Sequence, residues 1–436
     1  LRLAALLAAA AGALALPAVA SGAAIDVTTT ADEFGSGSRC SLREAIWSAN
    51  NDSNGEAVGC TAGSGLDVIN VPGGTFRLTS GGLDVTAPAS ILHTGITPAI
   101  VRGSLPPHDH VFQVHAANVV LEHLTITGGA LHSPFTPSPY GGGILNEGGG
   151  LTVRASLIQG NQADYGGGIA TIGAGSTTLV NSTVAGNEST YDGGGIDVET
   201  GASTTLLSTT IVSNTTRQGN GGGVSAASSG GGGTVQMRNT LLADNDDNGG
   251  EAPDCVELGG SITSTGNSLI GLTAGCDYTA GPGDVTNKKP VLLKLVDNGG
   301  PTMTRAVRKW SPAIDHGRGC PSTDQRGVKR GLGGKRCDIG AWELARCQGV
   351  VVNRVGTAGI DLLEGTSTAD GMLGLGGDDV LHAAGGNDGL CGGGGNDRLE
   401  GGPLNDRLDG GPGRDTCLGA GGTNATVHCE LPRSTR

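Results

Sequence analysis

Residues 356–418 divide into seven nonapeptides without a slip in register, and no other stretch restricts the fold so tightly. Position six is always aspartate: Asp361, Asp370, Asp379, Asp388, Asp397, Asp406 and Asp415. Position eight is always apolar: Leu363, Met372, Leu381, Leu390, Leu399, Leu408 and Cys417. A short strand with one inward apolar residue, followed by a glycine turn, predicts a parallel β-roll in which two nonapeptides complete one coil. Aspartates two units apart then stack at the strand spacing of roughly 4.8 Å. Like charges at that distance repel by about 0.9 kcal/mol in bulk water and about 3.5 kcal/mol at an effective dielectric near 20. One apolar contact per strand is too little to offset this repulsion together with the entropy of ordering the chain. A hard divalent cation resolves the conflict by bridging carboxylates and turn carbonyls, with roughly six to eight oxygens at about 2.4 Å. Folding and metal binding then become a single event.

The repeats differ in quality. Those starting at Gly356, Gly374, Gly392 and Gly410 also keep glycine at position four, namely Gly359, Gly377, Gly395 and Gly413. In the units between them Thr368 and Leu404 replace that glycine, and Ala383-Ala384 replaces the leading pair. Alternate units share an edge of the roll. One edge, with Asp361, Asp379, Asp397, Asp415 and the eight glycines as ligands, is expected to hold about three calcium ions. The opposite edge, with Asp370, Asp388 and Asp406, is expected to hold about two. The stretch resembles the hemolysin-type (RTX) calcium-binding repeats along its whole length, which implies calcium as the cofactor.

Elsewhere the composition points the same way. The 436 residues leave room for two or three domains, and 82 glycines with only 3% aromatics argue for repeated tight turns over an ordinary globular core. Of the net charge of −14, most belongs to 356–418, which holds eleven acidic and three basic residues. The acidity is local, and nucleic acid is not an expected partner. Residues 1–24 read as an export signal: Arg2, an apolar run, then Ala18-Val19-Ala20, with cleavage after Ala20 or Ala24. Past it no apolar stretch reaches membrane-spanning length. Ten cysteines in an exported chain imply disulfides. Proximity suggests Cys40–Cys60, Cys255–Cys276, Cys320–Cys337 and Cys417–Cys429, leaving Cys347 with Cys391.

Residues 25–75 begin with a strand and continue into Cys40-Ser41-Leu42-Arg43-Glu44-Ala45, where Ser41 and Glu44 form a capping box for an amphipathic helix. The helix is placed to close the end of a solenoid. This part resembles the CSLREA domain, named for that hexapeptide. From about 85 to 250 the chain repeats. Gly141-Gly142-Gly143-Ile144 returns at 166–169, 193–196 and 221–224, and between the copies lie strand patterns ending in Asn161, Asn187, Asn214 and Asn245. Units of this length with glycine corners predict a parallel β-helix whose asparagines stack. The alternation is similar to the GGxI and xxxN repeats of polymorphic outer-membrane proteins. Residues 254–345 carry Asp297-Asn298-Gly299-Gly300, Ser311-Pro312-Ala313-Ile314-Asp315, Asp324-Gln325-Arg326-Gly327 and Cys337-Asp338-Ile339-Gly340 in order. That series resembles the C-terminal part of the choice-of-anchor Q family, exported β-helix proteins.

No catalytic constellation stands out. Asp246 with Asp247, or Asp164 with Asp192, are the carboxylate pairs that glycoside hydrolysis would call for, and solvated turn aspartates account for both. His108-Asp109-His110 has metal-ligand residue types without a partner cluster, and Asp324 with Arg326 reads as a structural pair at the end of the solenoid. The expectation is an all-β chain: signal 1–24, right-handed parallel β-helix 25–346 with a small capping helix in 25–75 and an irregular end at 254–346, β-roll 353–418, and tail 419–436. The expected function is that of a secreted or cell-surface calcium-binding protein, structural or adhesive, with an extracellular polysaccharide or cell-surface protein as partner. The alternative is a carbohydrate-active lyase or hydrolase that uses the groove of the β-helix.

Overall fold

The computed structural model describes residues 21–430, apart from 36, 104–108, 132–138, 200, 228–231 and 332–334. Most of residues 1–24, expected to be an export signal, and His108 lie outside the described residues. Each backbone turn of the first solenoid supplies three short strands, and like strands of successive turns pair in parallel. One nine-stranded sheet runs from Ser21–Asp26 to Ser261–Gly266 and a second from Gly74–Arg77 to Val285–Thr286. The third sheet has seven strands, from Leu83–Val85 to Cys255–Leu258. The repeated glycine triplet sets the register of this third sheet. Ile144, Ile169, Ile196 and Val224, each following a triplet, are direct neighbours on adjacent strands, and all are buried in one continuous core. Branched side chains suit such a pleated stack.

The four asparagines form a buried column. The Oδ1 of Asn187, Asn214 and Asn245 each accepts both the backbone N–H and the side-chain amide of the asparagine one coil earlier, at 2.9–3.1 Å. Asp254 ends the column: its Oδ1 takes the Asn245 N–H at 3.2 Å and the amide at 2.9 Å. Burial pushes the Asp254 carboxyl up to about 6.

Helix α1 (Leu42–Asn51) begins with the predicted capping box, in which Ser41 Oγ accepts the Glu44 N–H at 3.1 Å and the Glu44 carboxylate accepts the Ser41 N–H at 2.9 Å. Its buried face of Leu42, Ala45, Ile46 and Ala49 completes the solenoid core at the N-terminal end. The four disulfides expected from proximity form, and the remaining cysteines, Cys347 and Cys391, pair with each other.

Beyond residue 287 the chain folds back over the outside of the solenoid. The antiparallel hairpin of Leu292–Val296 and Thr304–Val307 leads into a segment whose Ala306, Ala313, Ile339 and Trp342 pack on Ala185, Val212, Leu241 and Ala243. The Asp-Gln-Arg-Gly run is the joint. Arg326 is fully buried: Nε and Nη2 bond Asp324 Oδ2 at 2.9 and 2.8 Å, and the remaining donors reach the carbonyls of Asn298, Glu343 and Val352. Its guanidinium also lies 4.9 Å from the centre of the Trp342 ring. Gln325 ties the same loop to Thr183 and Thr302.

Val352 belongs to Val350–Val355, the first strand of the second solenoid. Here two strands make a coil. Leu363, Leu381, Leu399 and Cys417 are register neighbours in one sheet, and Met372, Leu390 and Leu408 in the other. All seven point into one narrow core. The roll continues past residue 418. Ala425–Val427 pairs with Arg407–Asp409, so 419–427 is an eighth nonapeptide with Asn424 at position six. Among the described residues no helix is long and apolar enough to cross a membrane.

Arg326→Met would remove the guanidinium that faces the buried Asp324 side chain. Its expected cost is about 3–5 kcal/mol, read by denaturant unfolding, while Arg308→Met, at the exposed residue just after the hairpin, should change stability by less than about 0.5 kcal/mol.

Candidate metal centre

The roll aligns its aspartates in two columns, one along each edge. In both columns each Oδ1 after the first accepts the backbone N–H of the aspartate 18 residues earlier. Thus Asp361 N–H reaches Asp379 at 2.9 Å, Asp379 reaches Asp397 at 2.9 Å, and Asp397 reaches Asp415 at 2.8 Å. On the opposite edge Asp370 reaches Asp388 at 2.8 Å and Asp388 reaches Asp406 at 3.1 Å. Asn424 and Glu430 continue the columns, accepting from Asp406 and Asp415 at 2.8 and 2.7 Å.

The second carboxylate oxygen is what distinguishes the members. Oδ2 of Asp379, Asp388, Asp397, Asp406 and Asp415 is buried with no hydrogen-bond partner among the described residues. These side chains are at most 2% exposed. An unpaired buried carboxylate oxygen is costly, so the arrangement calls for a cation. The neighbouring glycines let these oxygens lie against the turn backbone: a Cβ at Gly374, Gly392, Gly401 or Gly410 would run into the Oδ2 of Asp379, Asp397, Asp406 or Asp415. The donor set suits a hard ion, since only oxygens are on offer. Among the described residues no three acidic, histidine or cysteine side chains converge on one point, so the remaining ligands would be backbone carbonyls.

Asp361 and Asp370 differ. Oδ2 of Asp361 accepts from the Thr357 N–H and hydroxyl, and Oδ2 of Asp370 from the Thr366 N–H and hydroxyl at 2.6 and 2.8 Å. Asn353 adds its amide to Asp370 Oδ1 at 2.8 Å. Threonine at position two therefore satisfies the first aspartate of each column. The five orphaned oxygens divide into three on one edge and two on the other. A signal for this was present in the sequence, as Thr357 and Thr366 sit where glycine is usual. A further ladder at position five also went unpredicted: Asn396 N–H donates to Asp378, Asn405 N–H to Asn387, and Arg414 N–H to Asn396.

Burial, joined by the neighbouring aspartate charges, pushes the Asp379 carboxyl up to about 7, and burial with the Asp388 charge pushes Asp406 up to about 6. Asp388, Asp397 and Asp415 are raised as well, burial again being the main cause. Gly377 and Gly395, with φ of +109° and +132°, make the close turn in which a Cβ would collide with the coil below. Leu404 takes this turn position on the weaker edge at φ +85°, a conformation that strains a branched side chain.

The other sequence candidates serve the fold. Asp247 accepts the N–H groups of Gly250 and Ala252 in its own turn, and Asp246 accepts from Asn248. Asp164 is buried and accepts the Thr190 hydroxyl at 2.9 Å, while Asp192 takes the Asn220 N–H at 3.1 Å. Asp109 accepts the Gly82 N–H at 2.9 Å, and the His110 Nδ1 lies 2.8 Å from the Gly141 carbonyl.

Fold and site together define a parallel β-helix joined to a nonapeptide roll whose carboxylates are set for a hard cation. Residues 109–274 match the family described as right handed beta helix region, which gives the solenoid its hand. Residues 355–390 and 392–425 match the RTX calcium-binding nonapeptide repeat, and the second match runs into the eighth unit. No curated protein and no solved structure matches the chain.

Two predictions follow from the carboxylates and the turn. Because the folded roll raises the carboxyls above their ordinary 3.8, the calcium-free fold holds more protons than the unfolded chain between about pH 4 and 7. Its stability should rise as pH falls from about 7 toward 4, so in chelator the roll melts at a higher temperature near pH 5 than near pH 8. Leu404→Gly should relieve the positive-φ strain and raise the melting temperature, by an amount corresponding to about 1 kcal/mol.

Proposed function

We propose that the protein is a secreted or cell-surface calcium-binding protein in which ions lock the β-roll. Asp379, Asp397 and Asp415 would hold them on one edge and Asp388 and Asp406 on the other. Carbonyls of the turn glycines, including Gly356, Gly359, Gly374, Gly377, Gly392, Gly395, Gly410 and Gly413, would complete the shells. Calcium supplies positive charge where buried carboxylates would otherwise repel one another. The single observation that carries this reading is the run of five buried, unpartnered Oδ2 atoms. Five disulfides and the resemblance of residues 1–24 to an export signal support a location outside the cytoplasm. The resemblances to the CSLREA and choice-of-anchor Q families support a structural or attachment role. The carbohydrate-active alternative has less behind it, since its candidate aspartates are engaged in turns.

Calorimetric calcium titration of the full oxidised chain is the test. Several ions should bind, with a gain in the roll's melting temperature that chelator reverses. Asp397→Asn should lower the ion count by at least one, whereas Asp370→Asn, whose Oδ2 already accepts from Thr366, should leave it unchanged. No calcium-dependent shift at about 10 mM, above the weakest extracellular sites, would refute the proposal.

A further inference from the structure

The outer face of the sheet that begins at Gly74–Arg77 changes character along its length. Arg77, Arg102, Thr127, Gln159, Ala185 and Val212 are successive register neighbours in one row. Its apolar end, Ala185 and Val212, lies beneath the C-terminal segment. Its polar end is left uncovered and forms one wall of a cleft of about 490 Å³, with Ile100 beside the arginines. Met303 and Asp297, from the loop of the hairpin, form the facing wall.

The two arginines contrast with those that hold the fold together. Arg43, Arg326 and Arg330 are each held by a carboxylate. Arg77 and Arg102 stand side by side on adjacent strands, and among the described residues neither guanidinium has an ion-pair or hydrogen-bond partner. This occurs in a protein with 41 acidic side chains and a net charge of −14. Asp297 bonds the Gly299 N–H at 2.8 Å instead. Asp297 is the one charged residue among those of the facing wall that line the cleft.

We propose that this cleft binds an acidic oligosaccharide, with Arg77 and Arg102 engaging carboxylate or sulfate groups on successive sugars. The row favours an extended ligand over a single small anion, since donors recur at the strand spacing from Arg77 through Thr127 to Gln159. Ile100 and Met303 offer apolar contact to the ring faces. The inference takes up the attachment side of the proposed function and does not rest on its calcium side.

The test uses the full chain in calcium and compares four probes by calorimetry. These are a tetrasaccharide bearing carboxylate and sulfate groups, a neutral tetrasaccharide, inorganic sulfate and a tetrapeptide of glutamate. The acidic tetrasaccharide should bind, weaken with added salt, and lose at least about tenfold in affinity in the double variant Arg77→Gln/Arg102→Gln. The neutral sugar should not bind. Both arginines are exposed, so the variant should keep its circular dichroism and its calcium titration, which separates failure here from failure of the roll. No binding of the acidic sugar, or equal binding by the double variant, would overturn the proposal. So would equally tight binding of sulfate or of the glutamate peptide.

Discussion

The structure depends on one repeated contact: a side-chain oxygen of one coil accepting the backbone N–H of the coil before it. In the first solenoid asparagine makes it, and in the roll aspartate does. The geometries are alike, but asparagine carries an amide on its second branch. That amide donates to the following asparagine and to a backbone carbonyl, as Asn187 does to Asn214 and Ile158, so the column is neutral and fully bonded. Aspartate makes the first bond equally well and leaves a second, charged oxygen in the interior. A change of one atom per coil therefore separates a solenoid that is complete by itself from one that needs a cation.

The ends of both columns reflect the same constraint. Asp254 terminates the asparagines, its Oδ1 accepting the Asn245 amide and its Oδ2 the Leu272 N–H at 2.7 Å. In the roll Thr357, Thr366 and Asn353 satisfy the first aspartates, and Asn424 and Glu430 extend the ladder past the last. Open strand edges are managed too. Helix α1 caps the first solenoid, and the Cys417–Cys429 disulfide fastens the last coil of the second. Arg326 connects the two bodies by bonding a carbonyl from each.

Much of this was legible in the sequence because solenoid contacts are local and periodic. The aspartate frame named its own register partners, and the glycine triplets fixed the isoleucine stack. Ser41 and Glu44 announced their helix, and proximity gave four of the disulfides, each closing a short loop, while Cys347–Cys391, 44 residues apart, followed only as the remaining pair. The eighth nonapeptide was hidden by Asn424 and Thr426, which break the aspartate and apolar columns that define the others. Leu404 shows that a worn position keeps the roll's geometry: its neighbours impose the positive φ that its own side chain disfavours.

The sequence by itself determined the coil length, the inward residues and the polar columns, since each follows from a fixed period and the chemistry of one residue type. Only the tertiary structure decided which Oδ2 atoms are orphaned, because that depends on what each turn folds back to touch. It alone decided where the C-terminal segment lies, joining Gln325 to Thr183 across 142 residues. That placement covers Ala185 and leaves Arg77 and Arg102 open. Contacts of such separation obey no period, and they exist only once burial, charge and shape have brought distant segments together.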